Sequence, residues 1–139
     1  MKLFRRAIFT SLLISACALG GACGGTEEGP APGQTGVDVS GLWQGTWRTD
    51  TNSSTGGVKV TITQNADQLS GQGTLTDIPL VNTQQGPFTG NINGRTISGT
   101  INAALADVTF QVEVAADGKS AHGQYTMTGG IKGFLDLTR

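Results

Sequence analysis

From Trp43 to the C-terminus the chain alternates apolar and polar residues with a period of two. That period is the mark of strands with one buried face. It predicts eight strands, at 42–49, 57–65, 68–76, 86–93, 95–103, 107–115, 120–128 and 130–138. Turn chemistry separates them. Asn93-Gly94 is a strong two-residue hairpin signal, and Asn65-Ala66-Asp67-Gln68 and Ala116-Asp117-Gly118 also read as turns. Short hairpins in succession predict an antiparallel meander. The longest connection after the first hairpin is expected at 77–87, where Pro79, Leu80, Val81 and Pro87 would cover or plug one end of the fold.

Within the strands a second pattern recurs, an apolar residue, a glycine two later and another apolar residue two after that. It appears as Trp43/Gly45/Trp47, Phe88/Gly90/Ile92, Ile97/Gly99/Ile101, Ala121/Gly123/Tyr125 and Ile131/Gly133/Leu135, with a widened form at Leu69/Gly71/Gly73/Leu75. Residues two apart share a face, so these glycines lie on the apolar, inward side. Inward glycines cost stability unless the sheet has to bend or a large neighbour needs bare backbone. Two strands are bulky instead, Val58/Val60/Ile62 and Val108/Phe110/Val112/Val114. The fold class is therefore all-β, an eight-stranded antiparallel up-and-down barrel, with a two-sheet β-sandwich as the alternative. Closure removes the sheet edges that a Thr- and Val-rich chain would otherwise expose.

Six large residues share the inward face: Trp43, Trp47, Phe88, Phe110, Tyr125 and Met127. They are the candidate lining of a pocket for a small apolar ligand, and equally the makings of an ordinary core, because an eight-stranded barrel can be filled or hold one small ligand. Tyr125 brings the inward hydroxyl, which needs a partner when buried. The outward positions are mostly Thr, Gln, Asn and Ser. Phe134 falls among them and is a candidate partner contact.

Gly41-Leu42-Trp43 at the first strand resembles the Gly-x-Trp of the calycin group, the lipocalins, fatty-acid-binding proteins and avidins. The resemblance implies a calycin-like barrel over 41–139, with Arg139 as the basic residue lying over that tryptophan. Avidins spread their tryptophans over distant strands for biotin. Here both are in the first strand, so no biotin site is carried over.

Residues ahead of the barrel speak of address. Lys2, Arg5 and Arg6 precede an uncharged, mostly apolar run at 7–14, and two cysteines follow small residues, as Ile14-Ser15-Ala16-Cys17 and Gly20-Gly21-Ala22-Cys23. The layout is that of a secretory leader, too short for a membrane span of about 20 residues. It resembles the lipobox of bacterial lipoproteins, which implies cleavage before a cysteine and a lipid on its thiol. Cys17 has the better lipobox, with Cys23 as the alternative; a plain secreted or periplasmic protein is the rival. Residues 1–22 then form the signal peptide, 24–36 a flexible Gly/Pro-rich tether, and 37–139 the barrel domain. Ala18 or Gly24, not Asp, follows the cysteine, and this resembles the outer-membrane sorting pattern of Gram-negative lipoproteins.

Charge and chemistry narrow the function classes. Without the three basic residues of the leader, six basic residues face ten acidic ones, a net charge near −4, and the basic residues are scattered. A nucleic-acid surface needs a basic stripe, so no nucleic-acid partner is expected. His122 is the lone histidine and points outward, so neither a zinc site nor a Ser-His-Asp triad is expected. Residues 50–54 alternate oxygen-bearing side chains, but Thr55 and Thr61 stand where a calcium loop needs Gly and Glu, so they read as a polar hairpin loop. Glu113 and Asp136 lie outward on separate strands without a spacing that favours acid–base work. The expectation is a non-catalytic, lipid-anchored envelope protein, without cofactor or metal, binding a small hydrophobic molecule inside its barrel. The alternative is a ligand-free structural or protein-interaction domain using its outer polar face or Phe134.

Overall fold

The structure, a computed structural model, describes residues 36–139. Both cysteines, the leader and the tether up to residue 35 lie outside the described residues. The strands are β1 (Gly41–Thr49), β2 (Thr55–Asn65), β3 (Gln68–Ile78), β4 (Asn82–Asn93), β5 (Thr96–Asn102), β6 (Asp107–Val114), β7 (Ser120–Met127) and β8 (Ile131–Thr138). Each pairs antiparallel with its chain neighbour, and β1 closes on β8 from Gln44↔Thr138 to Thr49↔Gly133. The barrel is closed, and the sandwich alternative falls with that seam.

The predicted strands hold to within a few residues, with one region corrected. The connection expected at 77–87 is mostly strand: β3 runs to Ile78, β4 begins at Asn82, and only 79–81 turn between them. On β4 the inward positions of this hairpin are filled by Gln84 and Gly86, not by apolar side chains, so the alternation is invisible there. Pro87 points outward, one step beyond Phe88↔Ile101, the last paired position of β4 with β5, where its missing N–H costs no ladder bond on that side. A smaller shift occurs at the next hairpin. Asn93 pairs with Thr96, so the two turn residues are Gly94 and Arg95, with Gly94 at φ 61°.

Parity sorts the side chains as the alternation predicts. The core comprises the inward residues of all eight strands, with Trp43, Phe88, Ile92, Ile97, Ile101 and Val112 almost fully buried. Ile131 departs from this and stands exposed, because it opens β8 at the barrel rim. Two glycines show why the register exists. A Cβ on Gly99 would run into the Phe88 ring, so bare backbone there gives the ring its place. A Cβ on Gly45 would land on the Asp136 carbonyl across the closing seam, so there the absent side chain lets β1 and β8 meet.

One end of the barrel is stoppered by residues 36–40. Gly36 bridges Gly94 in parallel, and Val39 is completely buried. The Val39 N–H donates to Gln64 Oε1 at 2.8 Å, and Trp43 Nε1 donates to the Val39 carbonyl at 2.8 Å. Arg139 lies over the Trp43 ring, 5.4 Å from its centroid, and donates to the Ser40 carbonyl at 3.1 Å. The contact implied by Gly41-Leu42-Trp43 is thus present, and it clamps the chain entry to the chain exit. Beside it the Ser40 N–H donates to Asp38 Oδ1 at 2.9 Å and, with the Ser40 hydroxyl, holds that carboxyl below its usual range.

Candidate functional site

All six candidate pocket residues do converge inside the barrel. Phe88 and Phe110 stack at 5.5 Å and 18°, Trp47 and Tyr125 meet edge to face at 6.3 Å and 86°, and none of the six is more than 8% exposed. These two ring pairs, and the burial of Trp43 and Met127 beside them, are what a core shows. Trp47 Nε1 donates to the Thr76 carbonyl at 2.9 Å. Two polar atoms in this interior have no partner, Tyr125 Oη and Gln84 Oε1. Burial, with Asp50 nearby, raises the Tyr125 phenol above its ordinary pKa.

The large concavity lies on the outside instead. An open groove of about 1030 Å³ crosses β3 to β7, with the facing glycines Gly90 and Gly99 in its floor. Its walls are two rows of outward side chains, each running straight across the strands. One row is hydroxyl throughout: Ser70, Thr89, Thr100, Thr109 and Thr126 stand side by side in register. The other is mostly carboxamide: Gln68, Asn91, Ser98, Gln111 and Gln124. None of the residues lining the groove carries a charge. The Thr100 and Thr109 hydroxyls bond each other at 3.3 Å, while the other eight side chains have no hydrogen-bond partner among the described residues.

Sequence reasoning placed these residues outward but did not single them out. The alternation carries the parity of Thr89 or Gln111, whereas their alignment into rows depends on strand register, which no local pattern encodes. A second outer groove of about 380 Å³ lies across β8, β1, β2 and β3 and includes Lys59 among its lining. Leu80 and Leu105 stand exposed on the connections at the end opposite residues 36–40.

The other candidates fall where expected or resolve into structure. His122 is outward, between Glu113 and Asp136 in the register, and its Nδ1 lies 2.7 Å from Asp136 Oδ1. Glu113 pairs instead with Arg95 at 3.2 Å. Residues 50–54 belong to a hairpin loop tied to Thr49: the Thr49 N–H donates to the Ser54 carbonyl at 3.0 Å and the Asn52 N–H to the Thr49 carbonyl at 2.9 Å. Phe134 is half-buried, with the Arg48 guanidinium 4.7 Å from its ring centroid. Among the described residues no group of three His, Cys, Asp or Glu side chains is placed to hold a metal ion.

These features define an all-β chain built as a closed eight-stranded barrel. No family model matches it, and no curated protein does. Among solved structures it is similar to a redesigned β-barrel, with a TM-score of 0.62 over 73% of this chain and 90% of that one, at 17% sequence identity. At that identity the likeness speaks to the fold.

Proposed function

We propose that this is a lipid-anchored protein of the bacterial cell envelope, outer membrane by its sorting residues, whose barrel is a rigid, non-catalytic binding module working through its outer surface. The observation that carries the reading is the contrast between the two faces. Inside, the six large residues are buried in the core, with Phe88 on Phe110 and Trp47 against Tyr125; outside, a neutral groove presents eight polar side chains without a hydrogen-bond partner among the described residues. The leader supplies the anchor, at Cys17 with Cys23 as the alternative, and residues 24–35 supply the reach from the bilayer.

Intact mass of the full chain, recorded first denatured and then native, tests both halves. The denatured mass is expected to equal the sequence from one cysteine plus a lipid, and the native mass to exceed it by nothing. An unlipidated chain would refute the anchor. A stoichiometric hydrophobic small molecule present only in the native spectrum, and retained by a variant with the outer groove altered, would refute the outer-surface reading. It would favour instead a hydrophobic ligand inside the barrel, a reading supported by Tyr125 Oη and Gln84 Oε1, which are buried without partners.

A further inference from the structure

We infer that the outer groove across β3 to β7 is a binding site for a neutral, hydroxyl-rich polymer, an oligosaccharide strand laid across the strands. The inference rests on the outer-surface reading above and names its ligand class.

Three observations carry it. First, the groove is long and regular. Five adjacent strands about 4.8 Å apart give each row a length of roughly 19 Å, and two residues along a strand put the rows about 6.7 Å apart. A repeating ligand meets a repeating set of groups. Second, the chemistry is uniform. Hydroxyls and carboxamides each donate and accept, so together they can answer the mixed donors and acceptors of a sugar ring in either orientation. The freedom is real, because of the ten row residues only Thr100 and Thr109 have a hydrogen-bond partner among the described residues, and that partner is each other.

Third, charge is kept out. Glu113 and Lys132 stand one position beyond the rows on β6 and next to Thr126 on β8, yet neither lines the groove. An anionic or cationic polymer would find no counter-charge to offset its desolvation, whereas a neutral glycan needs none.

The test is titration of the full chain against neutral hexasaccharides (cello-, chito-, malto-, laminari- and xylohexaose), with heparin fragments and oligogalacturonate as charged probes. At least one neutral probe is expected to bind, with affinity unchanged between low and high salt. The triple variant Asn91→Ala/Thr109→Ala/Gln111→Ala is expected to weaken it by at least about tenfold, since each lost neutral hydrogen bond is worth about 1 kcal/mol. The variant Thr46→Ala/Thr74→Ala, in the smaller groove, is expected to bind as the parent does. Far-UV circular dichroism confirms that both variants fold.

Binding of no neutral probe overturns the inference. So does binding that survives the triple variant, or binding confined to charged probes and lost in salt. Each of these leaves the anchored outer-surface module standing, with a protein as its partner. Failure of the lipid assignment, conversely, leaves the groove result untouched.

Discussion

Replacing Gly99 by alanine tests the physical reason for the glycine register. The added methyl would sit 3.0 Å from Phe88 Cζ and from the Thr89 carbonyl, and closer still to Phe88 Cε2. Carbon atoms prefer about 3.5–4.0 Å, so the ring has to retreat by roughly 1 Å. It has nowhere easy to go, because Phe88 is 1% exposed and stacks on Phe110 at 5.5 Å. Overpacking of this kind costs about 2–3 kcal/mol, which for a domain of this size lowers Tm by about 10–20 °C. Phe88→Leu removes the clashing ring atoms and by itself costs about 1–2 kcal/mol. In the double variant the methyl occupies space that the ring has vacated. The double variant is therefore expected to lose clearly less than the sum of the two single losses, a favourable coupling of about 1–2 kcal/mol, with the close approach to the Thr89 carbonyl remaining. Urea unfolding followed by emission of Trp43 and Trp47, both buried, measures all four corners of the cycle. Additive losses to within about 0.5 kcal/mol would refute the idea that glycine is there to seat the ring.

Two further perturbations probe the interior hydroxyl and the chain-end clamp. Tyr125→Phe removes a buried oxygen that bonds nothing, and is expected to leave stability unchanged or raise it by up to about 1 kcal/mol. The Tyr125 phenol is held above 10.0, whereas the unfolded phenol titrates near that value. Above pH 10 the unfolded chain therefore holds fewer protons, so Tyr125 contributes a loss of stability with rising pH, which the phenylalanine variant should lack in alkaline unfolding curves. Arg139→Ala removes the guanidinium over Trp43 and its bond to the Ser40 carbonyl. It is expected to cost about 1 kcal/mol and to shift Trp emission to the red, read by thermal melts and fluorescence.

Much of the fold was legible because this chain obeys period two almost everywhere. The inward set from Trp43 to Leu137 follows from parity, and closure follows from a meander with glycines on that same face. The β3–β4 hairpin was not legible, because Gln84 and Gly86 occupy inward positions where an apolar side chain would have shown the alternation. Nor was the stopper legible. In the sequence Val39 is one apolar residue ahead of the first strand, and only its burial and its bonds to Gln64 and Trp43 reveal it as core. Parity also cannot distinguish a core from a pocket wall. Whether Phe88 faces a ligand or Phe110 depends on distances across the barrel, and these come from the register of every strand between them.

Where Gly90 and Gly99 meet, the missing side chains admit the Phe88 ring on the inside, while the outward rows flank that stretch of backbone on the other face. A closed barrel has no edge strand to protect with charge, so its outer face is free to be neutral. Elsewhere this chain does place charges outward, with Lys59 on β2, Glu113 on β6, and Lys132 and Asp136 on β8. Ten adjacent outward positions on β3 to β7 carry none. Those side chains add little to the fold, since eight of them bond no other described residue. Solubility alone would be served as well by charged side chains such as Lys59, Lys132 and Asp136 on the remaining strands. A uniform run of hydroxyls and carboxamides is better accounted for by what it meets from outside, and that is why the groove, not the aromatic interior, is the place to look for this protein's work.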